Sequence, residues 1–249
     1  SVLAQTCTDC ELIGGDDGST DDTPTMWHAE GNRIKVITRE NGGGSAARNA
    51  GIKQARGGLI ALLDSDDVWL PHKLAVQVRF FNENQAVMWQ QTEEIWLRNG
   101  KRVNPKKRHQ KLAGRIFKES LELCLISPSA VMLRRELFDE FGFFDEELPA
   151  CEDYDLWLRI LTKYPVYLDP NYGIVKHGGH QDQLSAAPGL DVYRIQSLQK
   201  ILLNFMLQSD DKAVLLQVLK RKCEIYAQGC QKHGRLDEAA HYINLAAKT

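Results

Sequence analysis

The chain has 249 residues, of which 43% are hydrophobic and 26% charged, with a net charge of −2. A chain of this size can bury a full core, and it fits one α/β domain with an appendage or two small domains. The near-neutral balance supplies no basic field for nucleic acid, and no apolar run approaches the roughly 20 residues of a membrane span.

The first two-thirds alternates strand-like and helix-like segments. "ELIGGDD" (11–17) predicts a short strand ending in acid, and "DDTPTMWHAE" (21–30) a helix with Asp21 or Asp22 near its cap. "RIKVITR" (33–39) predicts a strand, and "SAARNAGIKQA" (45–55) a helix opened by a glycine run. "GLIALLD" (58–64) is a continuous apolar run, as expected in the middle of a parallel sheet. "PHKLAVQVRFFNEN" (71–84) predicts a helix with Pro71 in its first turn. Such βαβα order predicts a doubly wound, mostly parallel sheet with helices on both faces. Beyond it, 87–103 predicts a hairpin turning at Asn99-Gly100. Residues 104–111 form a basic loop, 129–144 a strand and a helix stopped at Gly142, 152–164 an amphipathic helix, and 166–179 an extended segment. From about Asp191 the chain reads as helical, closing in a pair, 211–232 and 235–248, that turns at Gly234.

Six cysteines are scattered, and Cys7-Thr8-Asp9-Cys10 is the one close pair. A redox or zinc centre needs a second pair or a thioredoxin-like context, and neither is present in the sequence. Reduced thiols and a cytoplasmic location are the expectation, with the inner face of a membrane as an associated site.

Three acidic clusters fall where strands end or helices begin: Asp16-Asp17-Gly18-Ser19-Thr20-Asp21, Asp64-Ser65-Asp66-Asp67 and Glu152-Asp153-Tyr154-Asp155. In an open α/β sheet, ligands bind beyond the carboxyl ends of the strands, so one fold would gather the clusters. Mg²⁺ or Mn²⁺ would neutralise them through hard oxygen ligands and borrow others from a diphosphate. Each cluster alone also has an ordinary reading as turn, cap or helix-dipole chemistry. Their joint order favours the functional one.

"NGGGSAARN" (41–49) supplies a loose G-x-G-x-x-A in Gly42 to Ala47, with Asp64 twenty residues beyond Gly44. That makes a Rossmann-type, dinucleotide-dependent oxidoreductase a rival reading. Against it, Arg39-Glu40-Asn41 separate strand from glycines, and a single ribose acid leaves Asp66 and Asp67 unexplained. Arg48, one turn into the helix, has the reach to contact a phosphate.

Taken in order, "DDGSTDDT", "NGGGSAARNAGI", "LIALLDSDDVWLPHKL" and "GFFDEELPACEDYDLWLRI" resemble glycosyltransferase family 2, over roughly residues 1 to 185. The resemblance implies the GT-A fold and transfer of a sugar from a nucleotide-sugar donor, with inversion, to a hydroxyl of a glycan, lipid-linked or protein acceptor. It places Asp17 at the nucleobase edge with Asp16 nearby, and Arg48 near the sugar-nucleotide. Asp64-Ser65-Asp66 would be the DxD element, with Asp64 toward the ribose and Asp66 on a divalent Mn or Mg. Asp153 would be the catalytic base, and His180 would face the metal, with His177 as the competing candidate. Chemically this suffices: one carboxylate takes the acceptor proton and one cation stabilises the leaving diphosphate. A base at a helix start is expected to be kept ionised by the helix dipole, and Asp67 is expected to cap the helix toward Pro71.

Ser1 to Thr6 resemble the end of the family's first helix, so the first strand is expected to be missing from this chain. Gly14 and Gly15 stand where apolar residues are usual, and Cys7 and Cys10 where aromatic ones are. If the strand is absent from the protein, a non-catalytic nucleotide-sugar-binding protein is the further alternative. The expected division is a catalytic domain over 1–188 and a helical extension over 189–249. The extension would pack over the sheet or meet a protein or membrane surface, and the basic loop would be solvated or meet an anionic acceptor.

Overall fold

The computed structural model describes residues 1–179 and 187–249. Eight strands are defined there: β1 (Ile13–Asp16), β2 (Lys35–Thr38), β3 (Leu59–Ala61), β4 (Val68–Trp69), β5 (Trp89–Arg98), β6 (Lys101–Val103), β7 (Val131–Arg134) and β8 (Tyr167–Gly178). The helices are α1 (Thr23–Ala29), α2 (Gly44–Gln54), α3 (Lys73–Glu83), α4 (Phe117–Ser120), α5 (Glu136–Phe141), α6 (Glu152–Leu161), α7 (Asp191–Asn204), α8 (Ser209–Lys232) and α9 (Leu236–Lys248). The expected α/β architecture is therefore present, with most elements where the sequence pattern puts them.

The strands fall into two sheets. β1 and β2 pair in parallel as a two-stranded ribbon. The other six form a mixed sheet in the order β3-β7-β5-β8-β4, with β6 hairpinned onto β5. β5 and β8 run parallel, whereas β3–β7, β5–β7, β4–β8 and β5–β6 are antiparallel. The run 58–64 thus differs from its expected place in the middle of a parallel sheet. Only Leu59–Ala61 is strand, and among the described residues it pairs antiparallel with β7 at one end of the sheet. An unbroken apolar run records burial on both faces and carries no information about strand direction.

Helices cover both faces. Along β7, Val131 and Leu133 join a core with Ile52 of α2 and Leu156, Trp157 and Ile160 of α6, while Met132 joins another with Leu74 and Phe81 of α3. This alternation is the strand period of two feeding two cores. The two unusual glycines of β1 have a steric reason. A Cβ on Gly14 would meet the Trp27 ring at 2.8 Å, and one on Gly15 the Ala47 carbonyl at 2.9 Å. α1 and α2 press on opposite sides of this strand too closely for any side chain.

The C-terminal helices share the main core. Ile195, Leu198 and Ile201 of α7 and Leu215, Val218 and Leu219 of α8 are buried in the same cluster as α6. Lys222 of α8 donates to the Glu122 carbonyl at 3.1 Å and to Asp191 at 3.2 Å. Packing is thus a role these helices demonstrably have. All six cysteines are unpaired, and Cys223 and Cys230 are buried between α8 and its neighbours.

Candidate active site

The site is assembled by one arginine. Arg48 sits half-buried on α2, a helix whose Ala46 and Asn49 are buried. Its guanidinium donates through one Nη to Asp64 Oδ1 and through the other to Glu152 Oε1, both at 2.7 Å, and lies 5.5 Å from the Phe144 ring centroid. The acid stretch after β3 and the start of α6 are 88 residues apart in sequence by their own numbers, 64 and 152, and this fork joins them. Burial alone would weaken the charge, but Asp64 and Glu152 more than offset it and push the Arg48 pKa up.

Asp153, beside Glu152, is half-buried. Burial, then the charge of Glu152, raises its pKa, against the Tyr154 N–H at 2.7 Å, Arg48 and Cys124. The helix start is therefore not the dominant influence on this carboxylate: lost hydration outweighs what the helix terminus returns. The Cys124 thiol lies 3.4 Å from Asp153 Oδ2 and 3.3 Å from the Ile126 carbonyl, so its single proton serves two acceptors. Immediately before α6, Cys151 adopts the left-handed conformation (φ 64°, ψ 22°), an uncommon state for a residue with a side chain.

The four residues 64–67 separate into distinct environments. Asp64 is half-buried and its N–H donates to Ser129 Oγ at 3.1 Å, while Ser65 and Asp66 are exposed. Asp67 is buried and accepts the His177 N–H of β8 at 3.0 Å. Its pKa is raised, chiefly by burial, against the charge of Lys176 and a hydrogen bond with Ser129. The expected helix-cap role of Asp67 is corrected, because it ties the β4 approach to β8. The entry to α3 is closed instead by Gln5, whose Oε1 accepts from Leu74 N at 3.0 Å and whose Nε2 donates to the Leu70 carbonyl at 2.8 Å.

Asp16 and Asp17 serve the turns of the ribbon. Asp16 is buried and accepts the Ser19 N–H at 2.9 Å, and Ser19 holds its carboxyl below the usual range. Asp17 accepts the N–H groups of Gly42 at 3.0 Å and Gly43 at 2.7 Å, with Arg39 Nε 3.5 Å away. These amides are the ones a dinucleotide's pyrophosphate would take in the rival reading. A carboxylate of the chain already fills that anion cradle, which weighs against a Rossmann unit.

His180 lies outside the described residues. His177 is half-buried beside Asp67, and its Nδ1 is buried with no hydrogen-bond partner among the described residues. No group of three or more His, Cys, Asp or Glu side chains is gathered as a metal cage among the described residues. The donors at hand are hard carboxylates with Asp66 facing solvent. That set fits a cation which takes most of its ligands from a diphosphate and water, and does not fit an all-protein cage.

Sequence reasoning missed two residues. Asn49, buried on α2, donates to the Phe144 carbonyl and Glu146, both at 2.8 Å, and accepts the Phe144 N–H at 3.0 Å. It fixes the 143–146 loop next to Arg48. Lys176 of β8 lies among Glu94, Asp67, Asp64 and Asp153, whose charges raise its pKa against burial. A polar residue one position from Arg48 on a buried helix face was a readable signal for Asn49; Lys176 had none.

Comparisons with known proteins bear on the family and the fold. The family model described as Glycosyl transferase family 2 matches residues 1–142. The chain belongs to glycosyl transferase family 2. It is 38% identical over 166 residues to UDP-Glc:alpha-D-GlcNAc-diphosphoundecaprenol beta-1,3-glucosyltransferase WfgD of Escherichia coli, covering 65% of this chain and 62% of that one. It is 32% identical over 179 residues to the uncharacterized glycosyltransferase RP339 of Rickettsia prowazekii, covering 68% of this chain and 55% of that protein. The chain thus spans about half the length of that relative, and 27% of another from Rickettsia conorii. Among solved structures it resembles S. aureus TarS 1–349 in complex with UDP-GlcNAc, with a TM-score of 0.72, 22% identity, and 98% and 73% of the two chains covered. It also resembles the mannosyltransferase PcManGT of Pyrobaculum calidifontis in complex with GDP-Man and Mn²⁺, with a TM-score of 0.62, 17% identity, and 100% and 69% covered. These likenesses establish the GT-A fold expected from the sequence.

Proposed function

We propose that the chain carries the catalytic site of an inverting glycosyltransferase that moves a sugar from a UDP-sugar to a hydroxyl of a lipid-linked sugar acceptor. The observation that carries the reading is the Arg48 fork, which sets Asp64 and Glu152 on one guanidinium and so brings Asp153 to the DxD segment. Asp153 takes the proton of the acceptor hydroxyl as the bond to the sugar forms. A carboxylate with a raised pKa is a stronger base once ionised, which suits this step. Asp64 and Ser65 contact the donor's ribose side, and Asp16 and Asp17 hold the turn and glycine loop that border the nucleobase. Asp66, with His180 or His177, would hold a divalent Mn or Mg, which when bound neutralises the leaving diphosphate. WfgD acts from UDP-Glc on a diphosphoundecaprenol-linked GlcNAc, and this supports a UDP donor and a lipid-linked acceptor here. No helix among the described residues is long and apolar enough to cross a membrane; the C-terminal helices are the surface we propose for contact with a membrane or protein that presents the acceptor.

The test is a titration of the full-length protein with UDP and Mn²⁺, followed by turnover. Metal-dependent UDP binding lost in Asp66→Ala, and turnover lost in Asp153→Asn with UDP binding retained, is the expected pair of results. Tight metal-free NADH binding, or full turnover in Asp153→Asn, refutes the reading.

A further inference from the structure

Between β5 and the 105–111 segment lies a cavity of about 400 Å³, lined by Glu94, Trp96, Lys106, Lys107, His109 and Lys111 among others. This is within the range of small-ligand sites, roughly 300–1,000 Å³. Its floor is built and buried. Lys111 and Glu94 form an ion pair at 3.1 Å with both side chains almost wholly out of solvent. Lys111 also donates to Gln91 Oε1 at 3.0 Å, and the Trp96 indole N–H donates to Glu94 Oε1 at 2.8 Å. The Trp96 and His109 rings stand 5.5 Å apart, tilted by 56°. On the rim, Lys106 and Lys107 are exposed, with no hydrogen bond or ion pair of their side chains among the described contacts.

Register ties this cavity to the catalytic residues. Trp96 of β5 stands directly opposite Lys176 of β8. Lys176 is the lysine that lies among Glu94, Asp67, Asp64 and Asp153. Glu94 therefore belongs both to the cavity floor and to the charge network of the candidate base. An indole face beside a carboxylate and an imidazole is the chemistry that recognises a sugar ring, apolar on one side and rimmed by hydroxyls. Two unengaged ammonium groups at the mouth suit phosphate oxygens.

We propose that this cavity is the acceptor subsite, in which the acceptor sugar lies against Trp96 with Glu94 and His109 at its hydroxyls, and Lys106 and Lys107 bind the phosphates of a diphosphate-linked acceptor. The assignment rests on the transferase reading above for its choice of ligand. The Lys111–Glu94 ion pair and the Trp96–His109 contact hold the 104–111 segment over β5 and so keep the cavity in place.

The probe is N-acetylglucosaminyl diphosphate carrying a short alkyl tail, titrated calorimetrically into the full-length protein in the presence of UDP. Methyl N-acetylglucosaminide, which has no phosphate, is the control ligand. The Lys106→Ala/Lys107→Ala double variant is expected to bind the diphosphate probe at least tenfold more weakly and the methyl glycoside unchanged. Trp96→Ala is expected to weaken both at least tenfold, with UDP affinity unchanged as the check on folding. Trp96→Phe, which keeps a ring but loses the bond to Glu94, should fall between. Unchanged probe binding in the double variant, or no binding by the parent protein, overturns the proposal. So does loss of binding to phosphatidylglycerol vesicles with probe binding intact, which would make the loop a membrane contact. A protein that binds the probe through Lys106 and Lys107 yet shows no UDP-sugar turnover refutes the transferase reading, and with it the acceptor role, and leaves a binding site for a diphosphate-linked sugar.

Discussion

Removing the Arg48 fork should cost more stability than any other single change at the site. The guanidinium makes two charged hydrogen bonds of 2.7 Å, and the side chains of Arg48, Asp64 and Glu152 are 23%, 24% and 13% exposed. Charged hydrogen bonds contribute about 1.5–3 kcal/mol each. Breaking a buried pair from one side costs about 3–5 kcal/mol, because the partner stays desolvated. Here two carboxylates are stranded, but each keeps some contact with water. An Arg48→Ala loss of about 3–4 kcal/mol follows, which in a chain of this size is a fall in Tm of about 10 °C at roughly 2–4 °C per kcal/mol. The loss should depend on pH. Arg48 favours the ionised form of Asp153, so its removal raises that pKa further and leaves Glu152, Asp153 and Asp64 to repel one another. Protonating the cluster relieves that repulsion, so the deficit should shrink from pH 7.5 to pH 4.5. Arg48→Lys, a point charge with no fork, should recover about half. Urea unfolding at both pH values checks this. A deficit below about 1 kcal/mol at pH 7.5, or one independent of pH, would refute the argument that the fork assembles the site.

Three other outcomes are expected. Lys73 is buried against the Trp69 ring and donates to Gln77 Oε1 at 2.8 Å, and burial lowers its pKa to about 7. The unfolded chain takes the proton near pH 10.5 and the folded one near 7, so stability falls as pH drops through that window and levels off below it. Lys73→Met removes this cost of up to about 5 kcal/mol and leaves Gln77 short of a donor at about 1–3 kcal/mol. The variant should be more stable by roughly 2 kcal/mol at pH 7 and no more stable at pH 11, read by urea melts. For Asp153, the raised pKa puts the acid limb of the rate profile above the ordinary aspartate range, and Cys124→Ala, which removes a donor to the ionised form, should move it higher still. The same shift means that ionising Asp153 opposes folding above the unfolded pKa, so Asp153→Asn should melt higher than the parent at pH 7 while turning over nothing. Gly43 sits at φ 88° and ψ 165°, a region nearly reserved for glycine, with no atom near its missing Cβ. Gly43→Ala should therefore cost about 1–3 kcal/mol by backbone strain alone, and weaken UDP binding as the Asp17 contact loosens.

Elements were legible where a local cause sets them. Asn99 and Gly100 turn the β5–β6 hairpin with positive φ at both residues, as the dipeptide predicts. Gly142 stops α5 and Gly234 separates α8 from α9, also at positive φ. The direction and neighbours of strands were not legible. The β3 run meets β7 about 70 residues later, and nothing in its apolar residues distinguishes a parallel from an antiparallel partner. Four of the six strand pairings are antiparallel, each fixed by a long-range contact or a hairpin and not by local composition.

At the site, composition marked the acids but not their division of labour. Asp64, Asp66 and Asp67 are one chemical type within four positions, and apart from the family resemblance nothing in their composition separates them. What separates them is what comes from elsewhere: Arg48 to Asp64, and the His177 N–H and Lys176 from β8 to Asp67. Asp67 was assigned to the nearest helix because capping is the commonest local use of such a residue. Its buried carboxylate instead needed partners, and the strand 110 residues downstream supplied them. The same principle accounts for Asp17, whose two oxygens go to the glycine loop. A buried or half-buried acid is held by whichever donors the tertiary fold brings to it. Exposure is divided the same way, for Ser65 and Asp66 face solvent while Asp67, one position on, is buried, and no local property of the segment sets that boundary.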